Sequence, residues 1–229
     1  MKAPFLGRTI SLLVLAGCAV WWGVRVTSGH PAEPKGLFPA PATDAKLTSQ
    51  QGASETAVFA GGCFWGVQGV FQHVRGVKSA TSGYSGGTVE RPYYELVSSG
   101  GTGHAESVQV AYDPSQITYG KLLMIFFSVA HDPTQRDRQG PDIGTQYRSA
   151  IFYANAEQKK IAEAYIAQIN AAKVYDSAIA TQVVPFAAFY QAEDYHQDYL
   201  VKHPDNAYIQ FNDLPKIERL KQKYPELYH

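Results

Sequence analysis

The sequence predicts a two-layer α/β or α+β body, on three observations. Strand-like and helix-like segments alternate from about residue 56 onward. Glycine-rich turns separate the two periodicities. Hydrophobic residues make up 45% and charged residues 17% of the chain, enough apolar surface for a real core. With 229 residues the chain has room for one or two domains.

The elements follow in order. Residues 56–61 read as a strand ended by Gly61-Gly62. Residues 63–74 read as a helix, with Phe64, Val67, Val70, Phe71 and Val74 at helical spacing. A strand over 77–84 runs into a turn at Gly86-Gly87, and a short helix over 93–98 precedes the loop Gly100-Gly101-Thr102-Gly103. Residues 106–112 alternate as a strand until Asp113-Pro114 breaks it. An apolar helix follows over 118–129. Residues 130–146 lack periodicity and read as a long loop, of a length that is usually functional or disordered. A strand covers 147–153. Asn155 caps a helix that runs to about Lys173, with Gln158 as its capping-box partner. Residues 179–186 read as a strand, and Asp213 caps a last amphipathic helix through Ile217 and Leu220.

Two stretches precede this body. Lys2 and Arg8 flank an almost charge-free run over residues 10–24. It reads as a secretory signal, as a lipoprotein signal that would leave Cys18 as a lipidated first residue, or as a membrane anchor with Trp21 and Trp22 near the interface. A buried N-terminal helix is the plain alternative. The membrane-directed readings, over residues 1–26, place the body outside the cytoplasm, in the periplasm or another extracytoplasmic space of a bacterium. Residues 27–55 carry Pro31, Pro34, Pro39 and Pro41, with Leu37, Phe38 and Leu47 as the large apolar groups. Such a stretch reads as a flexible linker. The catalytic body would span 56–229.

Composition excludes some functions. Twenty Lys and Arg balance twenty Asp and Glu, so a nucleic-acid binder working through a strong positive field is ruled out. Two cysteines rule out a disulfide-framed fold and any all-cysteine metal site. The Asp, His and Glu spacings fit no standard ligand pattern either, and no bound metal is expected.

The chemistry concentrates on a few residues. Cys63 follows two glycines at the start of a helix, where backbone N–H groups favour a thiolate and lower the thiol pKa. The sequence offers it as a nucleophile; a buried structural cysteine is the competing reading. Phe64 and Trp65 supply an apolar wall beside the sulfur. Glu106 shares strand parity with Val108, Val110 and Tyr112, so it faces their apolar side and its pKa should rise with desolvation. Placed at a frayed strand end, it would instead sit in water. His104, next to Gly103, invites a Cys–His hydrolase, against the plainer role of a loop histidine. Asp142 and Tyr147 lie in a glycine-spaced run where polar groups converge, though each also fits as a turn or strand residue. The run from Asp194 to Tyr199 crowds polar side chains together.

Four motifs occur in this order: Gly61-Gly62-Cys63-Phe64-Trp65, Thr102-Gly103-His104-Ala105-Glu106, Asp142-Ile143-Gly144-Thr145-Gln146-Tyr147-Arg148-Ser149 and Ala192-Glu193-Asp194-Tyr195-His196-Gln197. Together they resemble the peptide methionine sulfoxide reductase A family. The resemblance implies a two-layer α+β sandwich with a ferredoxin-like core and a mixed sheet. It also implies reduction of the S epimer of methionine sulfoxide, free or in oxidised proteins and peptides, through a cysteine sulfenic acid. By the same resemblance Cys63 is the nucleophile and Glu106 the acid at the sulfoxide oxygen. Tyr94 and Tyr147 donate to that oxygen, Asp142 is an acidic neighbour, and Phe64 with Trp65 receives the substrate methyl group. No cofactor is implied, only an external thiol: a thioredoxin-like protein or a small molecule. The chain departs from many family members in having no cysteine after Cys63. It therefore resembles a one-cysteine type that depends on an outside thiol; a monomer, touching a membrane only through its N-terminal segment, is expected. The rival classes are the Cys–His hydrolase and an inactive module that binds oxidised peptides.

Overall fold

The structure, a computed structural model, describes Met1, residues 38–50 and residues 52–229. The membrane-directed segment, Cys18 and the first part of the expected linker lie outside the described residues. Among the described residues no helix is long and apolar enough to cross a membrane.

In chain order the elements are β1 (Glu55–Gly61), α1 (Phe64–Gln72), β2 (Val77–Ser85), α2 (Tyr94–Ser98), β3 (Ala105–Tyr112) and α3 (Tyr119–Ile125). The hairpin strands β4 (Arg138–Gln139) and β5 (Asp142–Ile143) follow, then β6 (Ser149–Tyr153), α4 (Ala156–Ala171), β7 (Gln182–Pro185), β8 (Phe189–Gln191), α5 (Tyr199–Lys202) and α6 (Leu214–Lys223). Six strands form one mixed sheet in the order β7-β6-β1-β3-β2-β8. The pair β6–β7 is parallel, and the other four are antiparallel.

Side-chain alternation sorts the two faces of this sheet. Ala57 and Phe59 of β1 enter the main core with residues of α1, α3, α4 and α6, while Val58 and Ala60 join a smaller cluster with Ala105, Ala150 and Phe152. Phe59 stacks on Phe71 at 5.3 Å and on Phe126 at 4.9 Å, so an aromatic stack pins β1 under the helices. The same parity puts Glu106 on the helix-bearing side with Val108, Val110 and Tyr112, all buried. Glu106 is itself only 3% exposed, which excludes the frayed strand end.

The structure departs from the sequence expectations in four places. The loop over 130–146 holds the β4–β5 hairpin, and Tyr147 closes a 3-10 turn over Thr145–Tyr147 instead of opening β6. Beyond β7, the short strand β8 adds to the free edge of β2, with Tyr84 opposite Tyr190. Asp213 makes no side-chain cap to α6; its carboxylate is fully buried and accepts from Lys216 Nζ at 3.0 Å.

The fourth departure concerns residues 38–50, which are a packed strap and not a flexible linker. Phe38 sits edge-on to Tyr165 and Tyr175, each at 6.2 Å. The Pro39 carbonyl accepts from Tyr165 Oη at 2.7 Å, and the Ala40 carbonyl from Gln168 Nε2 at 2.8 Å. Asp44 accepts from Thr118 Oγ1 and from the Gly120 N–H, meeting the unpaired donors at the start of α3. One aromatic anchor and several directed hydrogen bonds thus order a segment whose composition is too poor in apolar groups to collapse by itself. Asp44→Ala should therefore lower unfolding stability by about 1–2 kcal/mol, as loss of a helix N-terminal cap does. Urea unfolding of the full chain checks this, and an unchanged midpoint would show the strap to be ornamental.

Candidate active site

The turn after β1 presents the cysteine. Gly62 has φ +89°, and a Cβ there would lie 2.5 Å from the Gln139 side chain, so the tight turn needs glycine. Cys63 takes the N-cap position of α1, leaving the first N–H groups of the helix pointing into the site. The Phe64 N–H donates to Glu106 Oε2 at 3.0 Å, which ties the carboxyl from β3 to the residue that follows the cysteine. Gly66 lies against the buried Asp213–Lys216 pair, and a Cβ there would fall 2.1 Å from Asp213 Oδ1. The C-terminal segment thereby packs directly onto the first turn of α1.

Other elements close the pocket. α2 carries Tyr94, whose backbone N–H donates to Glu193 Oε1 at 2.9 Å; the other oxygen of Glu193 accepts from Tyr84 Oη. The turn bearing Tyr147 is tied down by Gln146 Nε2 to the Ser98 carbonyl and by Arg148 Nη2 to the Gly103 carbonyl. The hairpin supplies Asp142, which accepts from Tyr208 Oη at 2.5 Å. Cys63, Phe64, Trp65, Tyr94, Glu106, Asp142, Tyr147 and Tyr208 line one cavity of about 200 Å³. All seven residues selected from the sequence meet there.

Sequence reading missed Tyr208. It sits in the helical turn that leads into a π-helix over Ile209–Asp213 just before α6, and only its contact, made across 66 residues of chain to Asp142, gives it a place in the pocket.

Burial controls the electrostatics. Desolvation pushes the Glu106 carboxyl up to about 8, against the Phe64 N–H, which favours the anion. Glu106 is therefore a neutral acid at pH 7. Burial also raises Tyr94 to about 12 and raises Tyr147 further, with the Glu106 carboxyl adding to both, so both phenols remain donors. Cys63 corrects the expectation of a lowered thiol pKa. Burial and then the nearby carboxyls of Glu106 and Asp213 raise it, and the Trp65 N–H at the helix start opposes them only in part. At neutral pH the sulfur is a thiol. The Asp142 carboxyl is raised by burial and lowered by its bond from Tyr208.

His104 lies outside this group. Its Nδ1 accepts from the Gly87 N–H at 3.1 Å and its Nε2 faces the Val89 carbonyl at 2.8 Å, so both ring nitrogens hold the glycine-rich loop. The base that a Cys–His hydrolase needs is thereby committed elsewhere. Chemically, the pocket can deliver a proton and hydrogen bonds to an oxygen while the Cys63 sulfur attacks the atom that bears it.

The family model described as peptide methionine sulfoxide reductase matches residues 55–227. The chain belongs to the peptide methionine sulfoxide reductase family. Among curated members, the chain is 59% identical over 175 residues to peptide methionine sulfoxide reductase MsrA 2 of Mesorhizobium japonicum, covering 76% of this chain and 90% of that one. It is 52% identical over 191 residues to MsrA 2 of Synechocystis, covering 83% and 89%. Two solved structures of the family are similar in fold. Methionine sulfoxide reductase A of Corynebacterium diphtheriae aligns with a TM-score of 0.59 and 37% identity, over 79% of this chain and 91% of that chain. Reduced Mxr1 of Saccharomyces cerevisiae aligns with a TM-score of 0.62 and 32% identity, over 72% and 92%.

Proposed function

We propose that this protein reduces the S epimer of methionine sulfoxide, free or protein-bound, to methionine, with Cys63 as nucleophile and Glu106 as acid. One observation carries the reading. A carboxyl that is neutral at pH 7 is hydrogen-bonded to the N–H next to the cysteine, inside a methionine-sized pocket. A sulfoxide sulfur is a poor electrophile until its oxygen is protonated or strongly hydrogen-bonded. Glu106 supplies that proton, and Tyr94 and Tyr147 direct their hydroxyls at the same oxygen. Phe64 and Trp65 receive the methyl group, and Asp142, oriented by Tyr208, borders the pocket.

The oxygen ends on Cys63. The substrate sulfur is reduced by two electrons to the thioether, and the thiol is oxidised to sulfenic acid. Cys63 is the free cysteine of the described residues, and Cys18 is the other cysteine of the chain. An external thiol then attacks the sulfenic sulfur and releases water; a second thiol breaks the mixed disulfide and restores Cys63. A thioredoxin-like protein or a small thiol fits this role, and no prosthetic group is needed.

A ferredoxin-like core is read from β6-β1-β3-β2 and the crossover helices α1 and α3. A monomer is read from a pocket complete within one chain. An extracytoplasmic body, tethered or released at a signal, is read from residues 1–26 alone.

Incubation with an S-sulfoxide peptide and dithiothreitol tests the activity. Loss of one oxygen from the S but not the R epimer is expected. Binding without turnover would support the inactive module, and an acyl-enzyme with ester substrates would support the hydrolase.

A further inference from the structure

The motif Ala192-Glu193-Asp194-Tyr195-His196-Gln197 contributes no group to the lining of the pocket, yet several of its side chains reach the residues that do. Glu193 binds the Tyr94 backbone and the Tyr84 hydroxyl. Gln197 anchors the turn through Ser82 and the Ala192 carbonyl. His196, only 2% exposed, stands behind the apolar wall. Its ring lies 5.0 Å from Phe64 and 4.4 Å from Tyr94, centroid to centroid.

Trp65 Nε1 donates to His196 Nδ1 at 3.2 Å. An indole nitrogen can only donate, so Nδ1 must be the unprotonated nitrogen and Nε2 must carry the hydrogen. That Nε2 is buried with no hydrogen-bond partner among the described residues. A neutral histidine that leaves one N–H unpaired in order to accept an indole N–H is costly for the fold. The remaining contacts of Trp65 explain what the bond adds. Tyr199 stacks on the indole at 3.8 Å with planes 10° apart, and Tyr208 meets it edge-on at 5.9 Å. Stacking fixes the plane of the indole but not which of its edges faces the pocket, because two χ2 orientations about 180° apart share that plane. A hydrogen bond at Nε1 selects one of them.

The geometry points to His196 as a positioning residue that holds Trp65 in one of its two ring-flip orientations and so shapes the wall receiving the apolar end of the substrate. The inference rests on the proposed reductase reading for its kinetic consequence, but not for its structural one. His196 touches no reacting atom in this account. Its removal should weaken substrate binding and leave the chemical step alone.

Trp65 makes the test direct. The chain has three tryptophans, and Trp21 and Trp22 lie in the N-terminal segment. Full-length protein carrying W21F and W22F therefore reports Trp65 emission alone. In that background His196→Leu removes the acceptor, whereas His196→Asn places an amide oxygen where Nδ1 stood. The expected result is a shifted Trp65 emission for H196L and a wild-type emission for H196N. With an S-sulfoxide peptide and dithiothreitol, H196L should raise KM about fivefold, the scale of one lost hydrogen bond, with kcat within about threefold. H196N should restore KM. A fall in kcat at unchanged KM, or identical emission in all three proteins, overturns the assignment. If H196L fails to fold, H196N decides alone, and an altered emission in H196N counts against the inference. Absence of turnover in the W21F/W22F parent would indict the reductase reading, while the emission comparison would still judge the role of His196.

Discussion

Cys63→Ser is expected to abolish turnover, lowering the rate by roughly 10⁴-fold or more, the scale on which loss of a covalent nucleophile is felt. The replacement is nearly isosteric, and Cys63 is held by a glycine turn and a helix start that serine tolerates equally well. The fold should survive. The chemistry should not, for two reasons. A hydroxyl is a far weaker nucleophile than a thiol at neutral pH. Accepting the sulfoxide oxygen would moreover leave serine with a weak O–O bond, where cysteine forms a stable sulfenic acid. Initial rates on a methionine sulfoxide peptide, with circular dichroism to confirm folding, check the prediction. Substantial residual reduction by a folded variant would remove Cys63 from the nucleophile role.

Glu106→Gln is the second large effect. An amide can still accept from the Phe64 N–H, so the local geometry is kept, but it has no proton to give. The reductive step should slow by 10²–10⁴-fold, the usual contribution of a general acid. The sign with pH follows from the raised pKa. The Glu106 carboxyl is raised to about 8, so it is protonated below that value and loses its proton as pH rises through it. A wild-type single-turnover rate, corrected for thiol ionisation, should fall above pH 8, and E106Q should lack that fall. A slowing of less than tenfold would assign the proton to another group.

Much of the site was legible in the sequence because its signals are local. Strand parity aims Glu106 at the apolar face but leaves a frayed strand end open, and its burial decides between the two. The glycine pair before Cys63 announces a strand-to-helix turn, which Gly62 makes with a positive φ. What stayed hidden depends on partners far away in the chain. The strap over 38–50 reads as linker by composition, yet Phe38 and Asp44 are ordered by residues more than 70 positions later. Tyr208 joins the pocket through Asp142, and Asp213, at the start of α6, gives its carboxylate to Lys216 and the underside of Gly66 instead of capping the helix. The thiol pKa was misjudged for a related reason. The sequence shows the helix start that lowers it, but not the burial and the carboxyls of Glu106 and Asp213 that outweigh it.

The central claim is that one cysteine takes the oxygen and an outside thiol removes it. A single turnover of the full-length protein without reductant tests this directly, with dimedone present and non-reducing mass spectrometry as the readout. The account predicts one methionine formed per enzyme, a dimedone adduct on Cys63 and no disulfide. A Cys18–Cys63 bridge in most molecules, or methionine released with Cys63 still a thiol, would contradict it.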